Sequence, residues 1–117
     1  TGFGLSCHLS EICEAGEVSA DISFELVPKI PEAGEYLDKK CVPGGTNRNL
    51  DTYGSKVGGG TERERAWLAD PQTSGGLLIA VAPEEADNFE KFATENGFGL
   101  KSFGKMMEKG EFLIQIK

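Results

Sequence analysis

Three short polar segments in this sequence combine glycines with neutral hydrogen-bonding groups: Thr1-Gly2-Phe3-Gly4, Pro43-Gly44-Gly45-Thr46-Asn47-Arg48-Asn49 and Asp70-Pro71-Gln72-Thr73-Ser74-Gly75-Gly76. The chemistry they suggest is anion binding. A helix N-terminus carries unpaired N–H groups and about half a positive charge. Glycines let a phosphate reach those groups with no Cβ in the way. Gln72, Thr73, Ser74 and Asn47 add uncharged donors. For the first segment an ordinary helix entry is the simpler reading, and the second reads equally as a turn. The third holds more polar groups than a turn requires. Asp70 fits a cap or turn residue, with a metal-ligand role open.

Other chemistries lack their residues. The sequence has neither a G-x-S-x-G elbow nor a Walker A pattern. Cys7 and His8 are adjacent, and neighbouring side chains on a helix do not face one another. With Cys7, Cys13 and Cys41 showing no C-x-x-C spacing and His8 the single histidine, a structural zinc site is not expected. Buried, reduced thiols in a cytoplasmic protein are expected instead.

Twelve Lys+Arg against nineteen Asp+Glu give a net charge of -7. Neither nucleic acid nor an anionic membrane surface is an expected partner, because both draw affinity from clustered cations. A phosphate ligand would have to be met by oriented N–H groups and a metal cation. No run approaches the roughly 18 apolar residues of a membrane span. The chain opens on Thr1 rather than Met, so a processed chain or a fragment is expected.

These segments need elements to position them. Leu5, Leu9, Ile12 and Cys13 predict a helix over 5–15, with Gly16 as its C-cap. Val18 to Leu26 alternates as a half-buried strand, and a short helix is expected over 32–39. Pro43 to Asn49 predicts a turn, with a short helix starting at Thr46 or Asn47. Gly54 to Gly60 predicts a mobile loop. Thr61 and Glu64 have capping-box spacing for a helix to about Ala69. The apolar run Leu77 to Ala82 predicts a strand buried on both faces. Pro83 opens an amphipathic helix burying Ala86, Phe89, Phe92 and Ala93, which ends at Asn96-Gly97. Strands over 100–107 and 111–116, joined at Lys109-Gly110, complete an α/β or α+β domain with one central sheet.

In this order, T-G-F-G-L-x-x-H-L, V-P-G-G-T-x-R-N and D-P-Q-T-S-G-G-L-L-x-A-V-x-P closely resemble the C-terminal domain of selenophosphate synthetase (selenide, water dikinase), within the superfamily of aminoimidazole ribonucleotide synthetase. The resemblance covers essentially the whole chain. It implies a three-layer α/β sandwich with a mixed sheet, in which residues 1–117 form one domain, the C-terminal fragment of a two-domain enzyme. The implied reaction converts ATP, selenide and water to selenophosphate, AMP and phosphate with Mg²⁺, in a cytoplasmic homodimer. The catalytic Cys or selenocysteine, the Lys and most ATP-binding groups would lie in an N-terminal domain absent from this sequence, and the family's metal-binding Asp just upstream of Thr1. No catalytic residue and no metal ligand is then expected here, and the fragment alone should be inactive. What carries over is one wall of the ATP/phosphate cleft: Thr1, Gly2 and Gly4; Gly44, Gly45, Thr46, Arg48 and Asn49; Asp70, Gln72, Thr73, Ser74, Gly75 and Gly76. Two alternatives stand beside this reading. One is another ATP-dependent synthetase of the superfamily, against which Gln72-Thr73-Ser74 argues. The other is a non-catalytic anion-binding or dimerisation module.

Overall fold

Helix α1, Gly4–Gly16, carries two buried faces because it lies between the sheet and other helices. Leu9 and Cys13 join the main core, while Ser6, Cys7 and Ser10 are also buried. The computed structural model describes residues 1–117. Gly16 is not the C-cap: it closes the helix, and Glu17 takes the left-handed conformation with φ 52. A Cβ on Gly16 would lie 3.3 Å from Val18 Cγ2, so the absent side chain makes room for the strand that starts two residues later.

Strand β1, Val18–Ile22, turns Ala20 and Ile22 into the core, as alternation requires. It stops before the expected Leu26, because a 3-10 turn over Phe24–Leu26 folds Phe24 inward. There Phe24 meets the Trp67 ring edge-on, with centroids 6.1 Å apart. Helix α2 follows at Ala33–Asp38. The expected short helix at Thr46 is a longer one, α3, over Gly44–Tyr53, entered directly from Pro43 in extended conformation. Pro43 cannot extend the turn as a helical donor but is well placed just before a helix.

The expected mobile loop over Gly54 to Gly60 is ordered structure. A 3-10 turn at Gly54–Lys56 leads into strand β2, Val57–Gly59. The glycines serve close approach here: at Gly59, with φ 67, a Cβ would collide with Gln115 and the Ile116 carbonyl of the neighbouring strand. Helix α4, Glu62–Leu68, begins with the complete capping box. Glu64 N–H donates to Thr61 Oγ1 at 3.2 Å, and the Glu64 carboxylate accepts from Thr61 N–H at 2.7 Å. Arg63 on α4 ties down α2 through Asp38 at 2.6 Å, which holds that carboxyl below its usual range.

The run Leu77 to Ala82 forms no strand. It finds no neighbouring backbone, and a strand exists only by pairing; Leu77 is 91% exposed and Ile79 51%. After a 3-10 turn over Pro83–Glu85, helix α5 spans Ala86–Glu95. Of its expected apolar face only Ala93 is buried. Strands β3, Gly104–Glu108, and β4, Ile114–Ile116, are shorter than expected.

The sheet is mixed, in the order β2-β4-β1-β3. β4 runs parallel to both β1 and β2, with Ile114 opposite Ala20 and Val57, whereas β3 is antiparallel to β1. The last two strands therefore flank β1 and do not pair with one another. Ser19 secures the loop that crosses between them: its hydroxyl donates to Phe112 C=O at 2.7 Å and accepts from Gly110 N–H at 2.9 Å. Helices pack on the face that carries Ala20, Ile22, Val57, Ile114 and Ile116, where Leu68 of α4 completes the core. This is the α+β architecture with one central sheet that the element order implies, and the sheet is mixed as the family resemblance implies. Cys7 and Cys13 are buried as expected; Cys41 is exposed, on the turn after α2.

The capping box makes a stability prediction. Thr61→Ala should cost about 1 kcal/mol, read as a lower urea midpoint at unchanged slope.

Candidate functional site

Segments far apart in sequence meet at one end of the helical layer. Asn49 makes the junction. It is buried, and its Nδ2 amide donates to Gly2 C=O at 3.0 Å and Ala69 C=O at 2.9 Å. One side chain of the second segment thus joins the first segment to the end of α4, where the third begins. The third segment closes the triangle: Gly2 N–H donates to Gln72 C=O at 3.1 Å.

Two glycines make this contact possible. Gly4 (φ 77) is buried, and a Cβ there would lie 2.8 Å from the Ala69 carbonyl carbon and 2.9 Å from the Leu68 and Asp70 oxygens. A Cβ on Gly45 would come within 2.9 Å of the Pro71 ring. Ser6 adds a bond two residues further along, donating to Leu68 C=O at 3.1 Å. The first turn of α1 is thereby set against polypeptide, while Gly44, at the start of α3, faces open space.

The side chains left over are the polar ones. Gln72, Thr73 and Ser74 are exposed on a bend, and none makes a side-chain hydrogen bond within the chain. Arg48 is exposed one turn into α3 and has no carboxylate partner. The other two arginines are engaged: Arg63 with Asp38, and Arg65 with the Gly59 and Gly54 carbonyls. Thr46, in the first turn of α3, is buried and its Oγ1 finds no partner. Gly75 and Gly76 are exposed, and Gly75 sits tightly under the Gln72 side chain.

The site is thus an open surface carrying a helix N-terminus, one free guanidinium and three neutral polar side chains. These are groups able to donate hydrogen bonds to an anion. Asp70 is the one carboxylate among the three segments, and partial burial raises its carboxyl above the usual value. No group of three or more His, Cys, Asp or Glu side chains converges anywhere in the chain. Cys7 and Cys13 are held as thiols by burial, which makes them poor nucleophiles.

Two features of the site do not follow from sequence patterning. Asn49 occupies the interior between the segments, which its place in a polar run does not signal. His8 lies at the surface and reaches back to Thr1, with Nε2 2.6 Å from Thr1 Oγ1.

Two expected outcomes test this geometry. Asn49→Ala leaves two carbonyls unpartnered and should cost about 2–3 kcal/mol in urea denaturation. Asp70→Asn should stabilise the domain at neutral pH. Because the folded-state value is raised, the native fold disfavours the ionised form; the cost is absent below the ordinary aspartate value of about 3.9 and fully present above the raised one. Melting temperatures of the two proteins should therefore converge as pH falls toward 3.

No helix of the chain is long and apolar enough to cross a membrane. Residues 1–117 match the family described as AIR synthase related protein, C-terminal domain. The chain is 50% identical to a selenide, water dikinase from Photorhabdus laumondii over 118 aligned residues, covering 99% of this chain and 34% of that protein. It is 49% identical to one from Photobacterium profundum, with the same coverage, and 43% identical to one from Haemophilus influenzae over all of this chain and 34% of that protein. The chain thus spans about a third of the length of these curated relatives. With the match running from its first residue to its last, the chain belongs to the family of AIR synthase related proteins, as their C-terminal domain.

Proposed function

We propose that this chain is the C-terminal domain of a selenide, water dikinase and forms one wall of its ATP/phosphate cleft. The complete enzyme would convert ATP, selenide and water to selenophosphate, AMP and phosphate, working in the cytoplasm as a homodimer. The observation that carries the reading is the meeting of three separated segments around Asn49, which leaves the start of α3, Arg48, Gln72, Thr73 and Ser74 without partners. Relatives named selenide, water dikinase, of which this chain spans a third, support an N-terminal domain as its partner. That domain would supply the opposite wall, with most ATP contacts, the Mg²⁺ ligands and the nucleophilic Cys or selenocysteine.

In this wall the residues divide by role. Gly44 and Gly45 N–H groups, Arg48 and the polar side chains of Gln72, Thr73 and Ser74 would meet phosphate oxygens. Thr1, Gly2, Gly4, Thr46, Asn49, Asp70, Gly75 and Gly76 would give the wall its shape. Magnesium, when bound, would neutralise part of the phosphate charge; what these residues supply is orientation and neutral donors. Such a division suits a chain with a net charge of -7, which has few side-chain cations to offer.

The test is kinetic. In the full-length enzyme, Arg48→Ala and Ser74→Ala should each lower selenide-dependent AMP production about tenfold or more, as loss of a charge-assisted or positioned hydrogen bond does. Their melting temperatures should stay near that of the parent. Earlier melting with normal turnover would reduce the segments to turns. Residues 1–117 alone should produce no AMP, and turnover by them would overturn the assignment of catalysis to another domain.

A further inference from the structure

In the first segment Gly2 and Gly4 both take positive φ, 84 and 77. On one side Asn49 holds it through the Gly2 carbonyl. On the other, a second device reaches it from the exposed stripe of α1. His8 Nε2 lies 2.6 Å from Thr1 Oγ1, and His8 Nδ1 lies 3.0 Å from Glu11 Oε2. An ionised carboxylate can only accept, so Nδ1 carries the proton. In the neutral ring Nε2 is then a bare acceptor, and the Thr1 hydroxyl donates to it. The same Thr1 oxygen accepts from Phe3 N–H at 3.2 Å, and the Phe3 ring lies against the imidazole with centroids 6.0 Å apart. With the ring neutral, every hydrogen bond in the chain Phe3 N–H, Thr1, His8, Glu11 has one direction.

We infer that His8, oriented by Glu11, is a positioning residue for the phosphate cleft: it fixes the Thr1 hydroxyl and with it the Thr1–Phe3 turn. The inference rests on the reading of this wall as the ATP/phosphate surface. His8 need not touch the ligand. Its work is to hold a turn built on two glycines, one of which bonds through its N–H to Gln72 C=O in the ligand-facing segment. Cys7, the preceding residue, points into the core, so the helix divides the pair between packing and site.

The experiment is a double-mutant cycle in the full-length enzyme, with two readouts: kcat/KM for ATP, and calorimetric affinity for inorganic phosphate. His8→Ala and Thr1→Ala should each reduce both by roughly threefold to tenfold, the worth of one net hydrogen bond. The double variant should be no worse than either single one, because both remove the same interaction. His8→Gln, which keeps an acceptor, should recover part of the loss. His8→Phe, which keeps a ring against Phe3 but has no nitrogen, should not. Multiplying effects, or equal recovery by Gln and Phe, would overturn the inference. If Arg48→Ala and Ser74→Ala also left phosphate affinity unchanged, the cleft reading itself would fail; if they weakened it while His8→Ala did not, only the positioning role would be lost.

Discussion

One buried amide organises this end of the molecule. Asn49 is placed by α3, yet its two hydrogen bonds go to carbonyls on the other two segments, at Gly2 and Ala69. A buried donor pair of this kind is costly to leave unsatisfied, so its bonds fix distances among three backbones at once. The rest of the fold supports that junction. The sheet seats α1, α1 seats α3 and α4, and the close contacts at Gly4 and Gly45 let the three segments approach. Polar groups on the outward side are then free because the inward geometry is already satisfied without them.

The charges around this surface are unevenly engaged. Acidic residues outnumber basic ones, and several cations are paired with carboxylates: Lys56 with Glu14, Arg63 with Asp38, Lys117 with Asp21. Each engaged cation is weakened as a ligand for anything else. Arg48, alone among the three arginines, keeps its guanidinium unpaired, and it stands beside an open helix start.

Much of this was legible in the residues. The Thr61/Glu64 spacing gave a helix start that the structure reproduces bond for bond, and the alternation from Val18 gave β1 with its inward face. The three polar segments were recognisable, although not their mutual distances, because nothing local in a polar run says that Asn49 is interior. Leu77 to Ala82 shows the complementary limit. Six apolar residues satisfy the composition of a strand, but pairing is a property of two segments, and this run has none. His8 was legible only as a polar position on a helix; its bond to Thr1 depends on a turn at two left-handed glycines.

Glycine is where local and tertiary readings diverge most. A run such as Gly58-Gly59-Gly60 suggests freedom, since each residue can adopt conformations closed to others. In the folded chain the same run lies against Gln115 and Ile116 with no room for a side chain. Gly4 and Gly45 repeat the pattern at the site, against Ala69 and Pro71. The entropy lost in ordering these residues is offset by contacts that only a residue without Cβ permits. At these positions a glycine marks where one segment comes so close to another that no side chain fits between them.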